Sequence, residues 1–83
     1  DDKIFTKDEV DHKKKLIKSA LEILDERELE IINNRHLAEN SKTLKILGNK
    51  LNISKERVRQ IEKNAMMKMK SYISNQSKNI FLT

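Results

Sequence analysis

The sequence predicts an all-α fold, a small domain of four helices that contains a helix-turn-helix. The chain of 83 residues has no proline and only one glycine, which favours helices joined by short connections. Apolar side chains recur at helical spacing over most of its length. A short apolar helix, a turn residue and a second capped helix follow one another within residues 43–62. We expect a single domain over residues 1–83.

The first predicted helix runs from Thr6 to Leu24. Thr6 followed by Glu9 has the spacing of a capping box, in which each side chain bonds the backbone N–H of the other residue. The apolar stripe of this helix comprises Val10, Leu16, Ile17, Ala20, Leu21 and Leu24. An amphipathic helix of this kind packs its stripe on the rest of the domain.

The second predicted helix begins at Asp25, where Glu28 gives a second capping box. It continues through Ile32 to His36 or Leu37, because apolar residues again recur at helical spacing. A short polar loop follows and leads into the helix-turn-helix.

Each part of the helix-turn-helix has its own sequence signal. Thr43 can cap a short helix, on which the apolar residues are Leu44, Leu47 and Leu51. Asn52 lies at the turn, where a residue tolerant of left-handed backbone geometry is needed. Ser54 can cap the second helix, and Gly48 lies where the two helices must approach closely. In this motif the second helix enters the major groove of DNA, with its N-terminal residues at base edges.

The fourth predicted helix begins after Ser54, ends near Ser74 and has two distinct faces. Its inward stripe comprises Val58, Ile61, Ala65, Met69 and Tyr72. Its outward face comprises Glu56, Gln60, Lys63 and Met67, and Lys55 lies at its N-terminal end. We expect frayed ends at residues 1–5 and 75–83.

The polar side chains of this helix suit contact with DNA. Glutamine can bond adenine through both groups of its amide, glutamate can accept from the cytosine amino group, and lysine or arginine can bond guanine or phosphate. Positive charge also concentrates in the same half of the chain. Residues 1–42 carry nine Lys/Arg and eleven Asp/Glu, whereas residues 43–83 carry nine Lys/Arg and two Asp/Glu. This asymmetry is typical of nucleic-acid binders.

The sequence has no pattern for catalysis, for a metal site or for a membrane span. The chain has no cysteine, and its two histidines, His12 and His36, lack partners at ligand spacing. No apolar run approaches the roughly 20 residues that a membrane-spanning helix requires. We therefore expect a cytoplasmic binding protein that is not an enzyme and has no cofactor or metal. Because the chain begins Asp1-Asp2 without methionine, we also expect a fragment of a longer protein.

Two segments carry a more specific signal. Residues 54–70 closely resemble region four of bacterial sigma factors of the sigma-70 family, and residues 24–35 resemble the preceding sub-region of the same domain. The variants at residues 62–66 and 24–27 look most like the heat-shock branch of that family.

The resemblance implies recognition of the −35 promoter element in double-stranded DNA while the domain is docked on core RNA polymerase. The residues at base-contacting positions are Lys55, Glu56 and Gln60. The residues at positions of DNA-phosphate or activator contact are Thr43, Leu44, Ser54, Arg57, Arg59 and Lys63. A hydrophobic groove for the flap of the polymerase β subunit is also implied, with Leu21, Leu24, Leu29 and Ile32 as candidates. Activators and anti-sigma proteins are further implied partners, and the expected location is the bacterial nucleoid.

Some positions depart from the family pattern. Lys55 stands where housekeeping members usually place arginine, and lysine cannot form the arginine fork. Gly48 replaces the more usual alanine, at a cost of up to ~1 kcal/mol in helix stability. Asn52 replaces a frequent glycine, and Asn64 lies where many members carry a basic residue.

Two other functions are compatible with the same residues. One is a helix-turn-helix domain of a response-regulator-type transcription factor, which binds as a dimer and protects two half-sites. The other is a polymerase or anti-sigma interaction module without specific DNA binding. Tight binding to such a protein partner without specific DNA binding at low salt would favour the second alternative.

Overall fold

The computed structural model describes residues 7–82, with side chains over residues 7–76. All regular secondary structure in this part of the chain is helical. The helices are α1 (Lys7–Glu22), α2 (Glu26–Ile32), α3 (Leu44–Leu51) and α4 (Lys55–Leu82), and a π-helical segment (Asn33–Leu37) directly follows α2. α4 is the central element, since α1, α2 and α3 all pack against it. The predicted all-α fold with a helix-turn-helix is confirmed.

α1 ends earlier than predicted, at Glu22 rather than Leu24. Ile23 and Leu24 instead form a closing turn, in which their N–H groups donate to carbonyl groups three residues earlier. Asp25, the N-cap of α2, has an extended backbone (φ −75°, ψ 174°). Because an N-cap residue is not helical, the chain must leave α1 before Asp25.

The predicted apolar stripe of α1 is correct except at Ile17. Ala20 and Leu24 are buried, whereas Ile17 is 43% exposed. α1 packs mainly against α4, and one neighbouring helix covers only part of a helical stripe. The capping box predicted at Thr6 lies outside the described residues.

The capping box predicted at the start of α2 is confirmed. Asp25 Oδ1 accepts from the Glu28 N–H at 2.8 Å, and Glu28 Oε1 accepts from the Asp25 N–H at 3.0 Å. Glu28 is buried, and its carboxylate also lies 2.8 Å from Nζ of Lys68 on α4. The hydrogen bond with Glu28 raises the pKa of Lys68. One carboxylate therefore caps α2 and ties it to α4.

The helix that follows the capping box reaches Leu37, as predicted, but its last five residues are π-helical. The side-chain amide of Asn34 donates to the Glu30 carbonyl oxygen at 2.7 Å. In a regular α-helix that oxygen would accept from the Asn34 backbone N–H, so the side chain competes with the backbone. The N–H of Ala38 then donates to the Asn33 carbonyl oxygen at 2.8 Å, which closes a turn wider than an α-helical one.

The core consists of two clusters on successive turns of α4. The first joins α2, α3 and α4 through the buried side chains of Ile31, Leu47, Val58 and Ile61, and Leu44, Leu51 and Ile53 pack against it. The second contains Leu24, Ile32 and Ala65, and Leu21, Leu29 and Met69 pack against it. The predicted inward stripe of α4 is therefore confirmed, and the half-buried side chain of Tyr72 completes it.

α4 extends beyond the predicted end near Ser74 and reaches Leu82. Residues 55–83 contain no proline or glycine, so nothing in this part of the sequence stops the helix. The expected fraying of residues 75–83 stays a prediction, and residues 1–5 lie outside the described part.

Candidate nucleic-acid interface

The turn between α3 and α4 is set by backbone geometry at two residues. Asn52 has the left-handed conformation (φ 62°, ψ 42°) that its place in the sequence predicts. The Ile53 N–H donates to the Gly48 carbonyl oxygen at 2.9 Å. A Cβ atom on Gly48 would lie 2.8 Å from the Ile53 carbonyl oxygen, so the missing side chain permits this close approach. The turn therefore fixes the angle at which α4 leaves α3.

The predicted caps of both helices are confirmed. Thr43 Oγ1 accepts from the Ile46 N–H at 3.1 Å, and Ser54 Oγ accepts from the Arg57 N–H at 3.1 Å. Each hydroxyl keeps its own proton, which can still be donated to a phosphate oxygen. Leu44 packs on the core, so its side chain turns away from any ligand of this surface.

The N-terminal half of α4 has one buried and one exposed side. The exposed side comprises Glu56, Gln60, Lys63 and Met67, as predicted, and Met67 is 60% exposed. Lys55, at the N-terminal end of the helix, is exposed as well. All three candidate base-contacting residues, Lys55, Glu56 and Gln60, are therefore accessible to solvent. Such a polar stripe on the second helix of a helix-turn-helix has the placement that base contact requires.

Glu56 and Arg59, one helical turn apart, form an ion pair on this stripe. Arg59 Nε lies 2.7 Å from Glu56 Oε1, and Arg59 Nη2 lies 3.2 Å from Glu56 Oε2. The hydrogen bond from Arg59 lowers the pKa of the Glu56 carboxyl and, in return, raises the pKa of Arg59. Glu56 therefore stays ionised and acts only as a hydrogen-bond acceptor.

A second pair on the same helix joins Arg57 to Gln60. Arg57 Nη1 donates to Gln60 Oε1 at 3.2 Å. Lys55 and Lys63 are exposed and form no salt bridge with the described residues, although the charge of Lys55 contributes to the lowered pKa of Glu56. The exposed surface of α4 thus carries two polar groups with a partner on the same helix, Glu56 and Gln60. It also carries two lysines, Lys55 and Lys63, without a salt bridge in the described part of the chain.

Sequence reasoning missed the polar cluster that holds α4 against the π-helical segment. Glu62 Oε2, on a side chain only 14% exposed, lies 2.9 Å from Arg35 Nε and 2.8 Å from His36 Nε2. Burial raises the pKa of the Glu62 carboxyl, but the hydrogen bonds from Arg35 and His36 outweigh it, and the net pKa is lowered. Arg35 Nη1 also donates to the Lys42 carbonyl oxygen at 3.1 Å, just before α3. No spacing rule links positions so far apart, although both resembling segments contain a member of the cluster.

The four candidates for the flap groove differ in exposure. Leu24 and Ile32 are 8% and 2% exposed and belong to the core. Leu21 and Leu29 are half-buried and lie against the same cluster as Met69. Of the four, only Leu21 and Leu29 therefore present appreciable apolar surface to solvent, and they pack against the cluster that contains Leu24 and Ile32.

The described part of the chain offers neither a metal site nor a membrane span. Among its side chains, no group of three or more His, Asp and Glu residues could hold a metal ion. None of its helices combines the length and the apolar character that crossing a bilayer requires.

Comparison with known proteins agrees with this geometry. The family model described as Sigma-70, region 4 matches residues 20–71, which include α2, α3 and the first part of α4. The RNA polymerase sigma factor RpoH of Rhizobium radiobacter is 34% identical over 74 residues, which cover 89% of this chain and 25% of the relative. The chain thus spans about a quarter of the length of that curated relative. Because the matched range contains the complete helix-turn-helix and more than half of the chain, the protein belongs to the sigma-70 region 4 family.

Proposed function

We propose that this chain recognises the −35 promoter element in double-stranded DNA, as the promoter-recognition domain of an alternative sigma factor of the heat-shock type. The observation that carries this proposal is the polar N-terminal stripe of α4 in a helix-turn-helix that lies within the matched range. Membership of this family makes the chain a DNA-binding domain and not an enzyme. The similarity to a sigma factor named RpoH supports the heat-shock branch.

The proposed base contacts come from Lys55, at the N-terminal end of α4, and from Glu56 and Gln60 on its outward face; all three side chains are exposed. In a helix-turn-helix the N-terminal residues of the second helix lie in the major groove. Glu56 is held ionised by Arg59 and suits the amino group of cytosine, while Lys55 suits guanine or a nearby phosphate. Base contacts of this kind carry the sequence information.

The proposed phosphate contacts surround the base-contacting residues. They comprise the hydroxyls of Thr43 and Ser54, the backbone N–H of Leu44 in the first turn of α3, and the cationic side chains of Arg57, Arg59 and Lys63. Helix N-termini favour phosphates because their first N–H groups lack intrahelical acceptors. These contacts set the register of the domain on DNA, and any of the three cations could also meet an activator.

The proposed protein partner is core RNA polymerase, contacted through the flap of its β subunit. Leu21 and Leu29 provide the apolar surface for this contact, with Leu24 and Ile32 as its floor. Activators and anti-sigma proteins are further proposed partners, and we place the protein in the bacterial cytoplasm at the nucleoid.

The first test is an NMR titration of the labelled 83-residue chain with a heat-shock-type −35 duplex and with a scrambled duplex, at low and moderate salt. We expect saturating shifts centred on residues 54–63 with the promoter duplex only, and these should persist at moderate salt. Equal shifts with both duplexes that fade together as salt rises would contradict specific recognition. A dimer with a two-half-site footprint would instead support the response-regulator alternative.

Two single substitutions separate base contact from phosphate contact. Gln60→Ala should change the sequence preference, whereas Lys63→Ala should weaken binding to all duplexes alike. Loss of one phosphate contact should also lower the slope of log affinity against log salt by about 0.9. Equal losses on every duplex from Gln60→Ala would refute the role assigned to Gln60.

The polymerase contact is tested with a peptide of the β flap. Leu29→Lys should abolish peptide binding, since a charge would then face an apolar partner. Ile46→Lys is the matched control, because Ile46 is 50% exposed on α3, away from the proposed groove. If Leu29→Lys bound the flap peptide as tightly as Ile46→Lys does, the surface formed by Leu21 and Leu29 would be excluded as the polymerase contact.

A further inference from the structure

Polar contacts hold the loop that leads into α3. Residues 37–41 are all exposed, so they add little apolar surface to the core. The backbone of Lys42 instead makes a hydrogen bond through each of its polar groups. Its N–H donates to the Asn34 carbonyl oxygen at 2.9 Å, and its carbonyl oxygen accepts from Arg35 Nη1 at 3.1 Å. Because Lys42 directly precedes Thr43, the N-cap of α3, these two bonds fix the point at which the chain enters α3.

The guanidinium group of Arg35 is also tied to α4. Arg35 Nε lies 2.9 Å from Glu62 Oε2, and the Glu62 side chain is largely buried. A carboxylate in such a place depends on its hydrogen-bond donors, because leaving a buried charged group unsatisfied is costly. Arg35 therefore joins the entry of α3 to the helix that carries the candidate base-contacting residues.

Contact with DNA makes the spacing between these two elements important. The proposed phosphate contacts include the Thr43 hydroxyl and the Leu44 N–H at the start of α3, whereas the proposed base contacts lie on α4. Both sets must meet one duplex at the same time. A hydrogen bond is lost when donor and acceptor separate beyond about 3.5 Å, so a shift of about 1 Å in the start of α3 would remove the phosphate contact there.

We propose that Arg35 is a positioning residue for promoter binding, which holds the start of α3 at the distance from α4 that allows one DNA phosphate to be contacted there. This inference rests on the proposed −35 recognition and adds a residue that none of the proposed contacts includes. Arg35 acts through the Lys42 carbonyl group and Glu62 and not as a phosphate ligand. Its Nε and Nη1 atoms are both engaged within the protein, and its charge is paired with that of Glu62.

The opposite end of α3 provides a matched control. Lys50 Nζ lies 2.6 Å from Glu30 Oε2, so a second ion pair joins α3 to α2. This pair involves neither α4 nor the loop before Thr43. Arg35→Met and Lys50→Met each remove one cation, so a general loss of positive charge would affect both variants alike. Only Arg35→Met should disturb the phosphate contact at the start of α3.

The test measures binding of the 83-residue chain by fluorescence anisotropy to −35 duplexes in which one phosphate at a time is replaced by an uncharged methylphosphonate. The phosphate at the start of α3 is the one at which this replacement matters less in Thr43→Gly, since glycine removes the hydroxyl and is still a good N-cap. There the replacement should weaken binding by the unsubstituted chain about tenfold, as expected for one hydrogen bond to a charged group.

Arg35→Met and Glu62→Met should each reduce this effect to that of a phosphate that the protein does not contact. The effects at the other phosphates and the base preference should stay as they are, and Lys50→Met should resemble the unsubstituted chain. Removing one partner of a largely buried ion pair can unfold a small domain, whereas replacing both by apolar residues leaves no charge unpaired. The double variant Arg35→Met/Glu62→Met should therefore fold and show the same loss, and circular dichroism confirms that each variant is folded at the temperature of measurement.

The outcomes distinguish the inference from the proposed function. The absence of a phosphate that responds to Thr43→Gly, or an undiminished effect there in Arg35→Met or the double variant, would overturn the role of Arg35 and leave −35 recognition standing. Loss in Arg35→Met but not in Glu62→Met would make Arg35 a direct phosphate ligand, because Glu62→Met keeps the arginine charge. An equal loss in Lys50→Met, or losses at every phosphate, would also overturn the positioning role. Binding by the unsubstituted chain without sequence preference would overturn the promoter recognition itself.

Discussion

Replacing Glu62 by glutamine removes one negative charge from the cluster with Arg35 and His36 and keeps the size of the side chain. The carboxylate is 14% exposed and lies within 3 Å of both partners, at 2.9 and 2.8 Å. Hydrogen bonds to charged groups contribute about 1.5–3 kcal/mol each. The glutamine oxygen can still accept one of the two bonds, so we expect Glu62→Gln to lower the free energy of unfolding by about 1–2 kcal/mol.

The same substitution should alter the dependence of stability on pH. The pKa of Glu62 is lowered in the folded protein from its ordinary value of 4.5. A carboxylate with a depressed folded-state pKa stabilises the fold above its unfolded-state value, and this contribution disappears as pH falls through the folded-state value. The difference in stability between the unsubstituted chain and Glu62→Gln should therefore be complete at pH 7 and shrink as pH falls below 4.5.

The assay is thermal unfolding by circular dichroism between pH 7 and pH 3. At pH 7 the Tm of Glu62→Gln should fall by about 5–15 °C, since 1 kcal/mol corresponds to about 4–8 °C in a domain of this size. Glu56→Gln is the control, because it removes an exposed carboxylate that also has an arginine partner, and it should leave Tm nearly unchanged. Equal Tm values for Glu62→Gln and the unsubstituted chain at pH 7, or a difference that grows on acidification, would refute the reasoning.

Substitutions at three further positions test the helix-turn-helix by thermal or urea unfolding. Asn52→Ala should cost about 1 kcal/mol, because the residue keeps φ 62°, whereas Asn52→Gly should be nearly neutral, and equal effects would contradict the left-handed geometry. Gly48→Val should lower Tm markedly, since the added Cβ atom would lie 2.8 Å from the Ile53 carbonyl oxygen. An unchanged Tm would show that the backbone of the turn can move enough to accommodate the side chain. Leu47→Ala should cost about 2–5 kcal/mol, because Leu47 is fully buried between α3 and α4, and a loss below that range would place it outside the core.

Local signals explain which parts of the fold the sequence predicted. The capping box at Asp25, the caps at Thr43 and Ser54 and the left-handed turn at Asn52 were all predicted and are all present. Each depends on residues at most three positions apart, so neighbours in the chain suffice to specify it. The end of α1 was predicted two residues too late, because the extended N-cap Asp25 requires the chain to leave the helix before it. The π-helical segment was not predicted, because it depends on competition between the Asn34 side chain and the backbone for the Glu30 carbonyl oxygen.

The candidate base-contacting stripe was predictable for the same reason. Helical periodicity alone places Glu56, Gln60 and Lys63 on one side of α4, and all three are exposed. Periodicity could not reveal that Leu24 and Ile32 would be buried, since burial depends on which helices cover them. It also did not show that Arg57 engages the oxygen of Gln60, because this depends on side-chain conformation.

The sequence by itself determined the helices, their caps, the turn and the polar stripe, because these follow from residue type and spacing within one or two helical turns. Only the tertiary structure decided the Glu62 cluster and the Glu28–Lys68 pair, which join positions far apart in the chain. It also decided how far Leu21, Leu24, Leu29 and Ile32 reach the surface. The physical reason is that long-range pairing and burial depend on how α4 packs against the other three helices, and no local pattern specifies that packing.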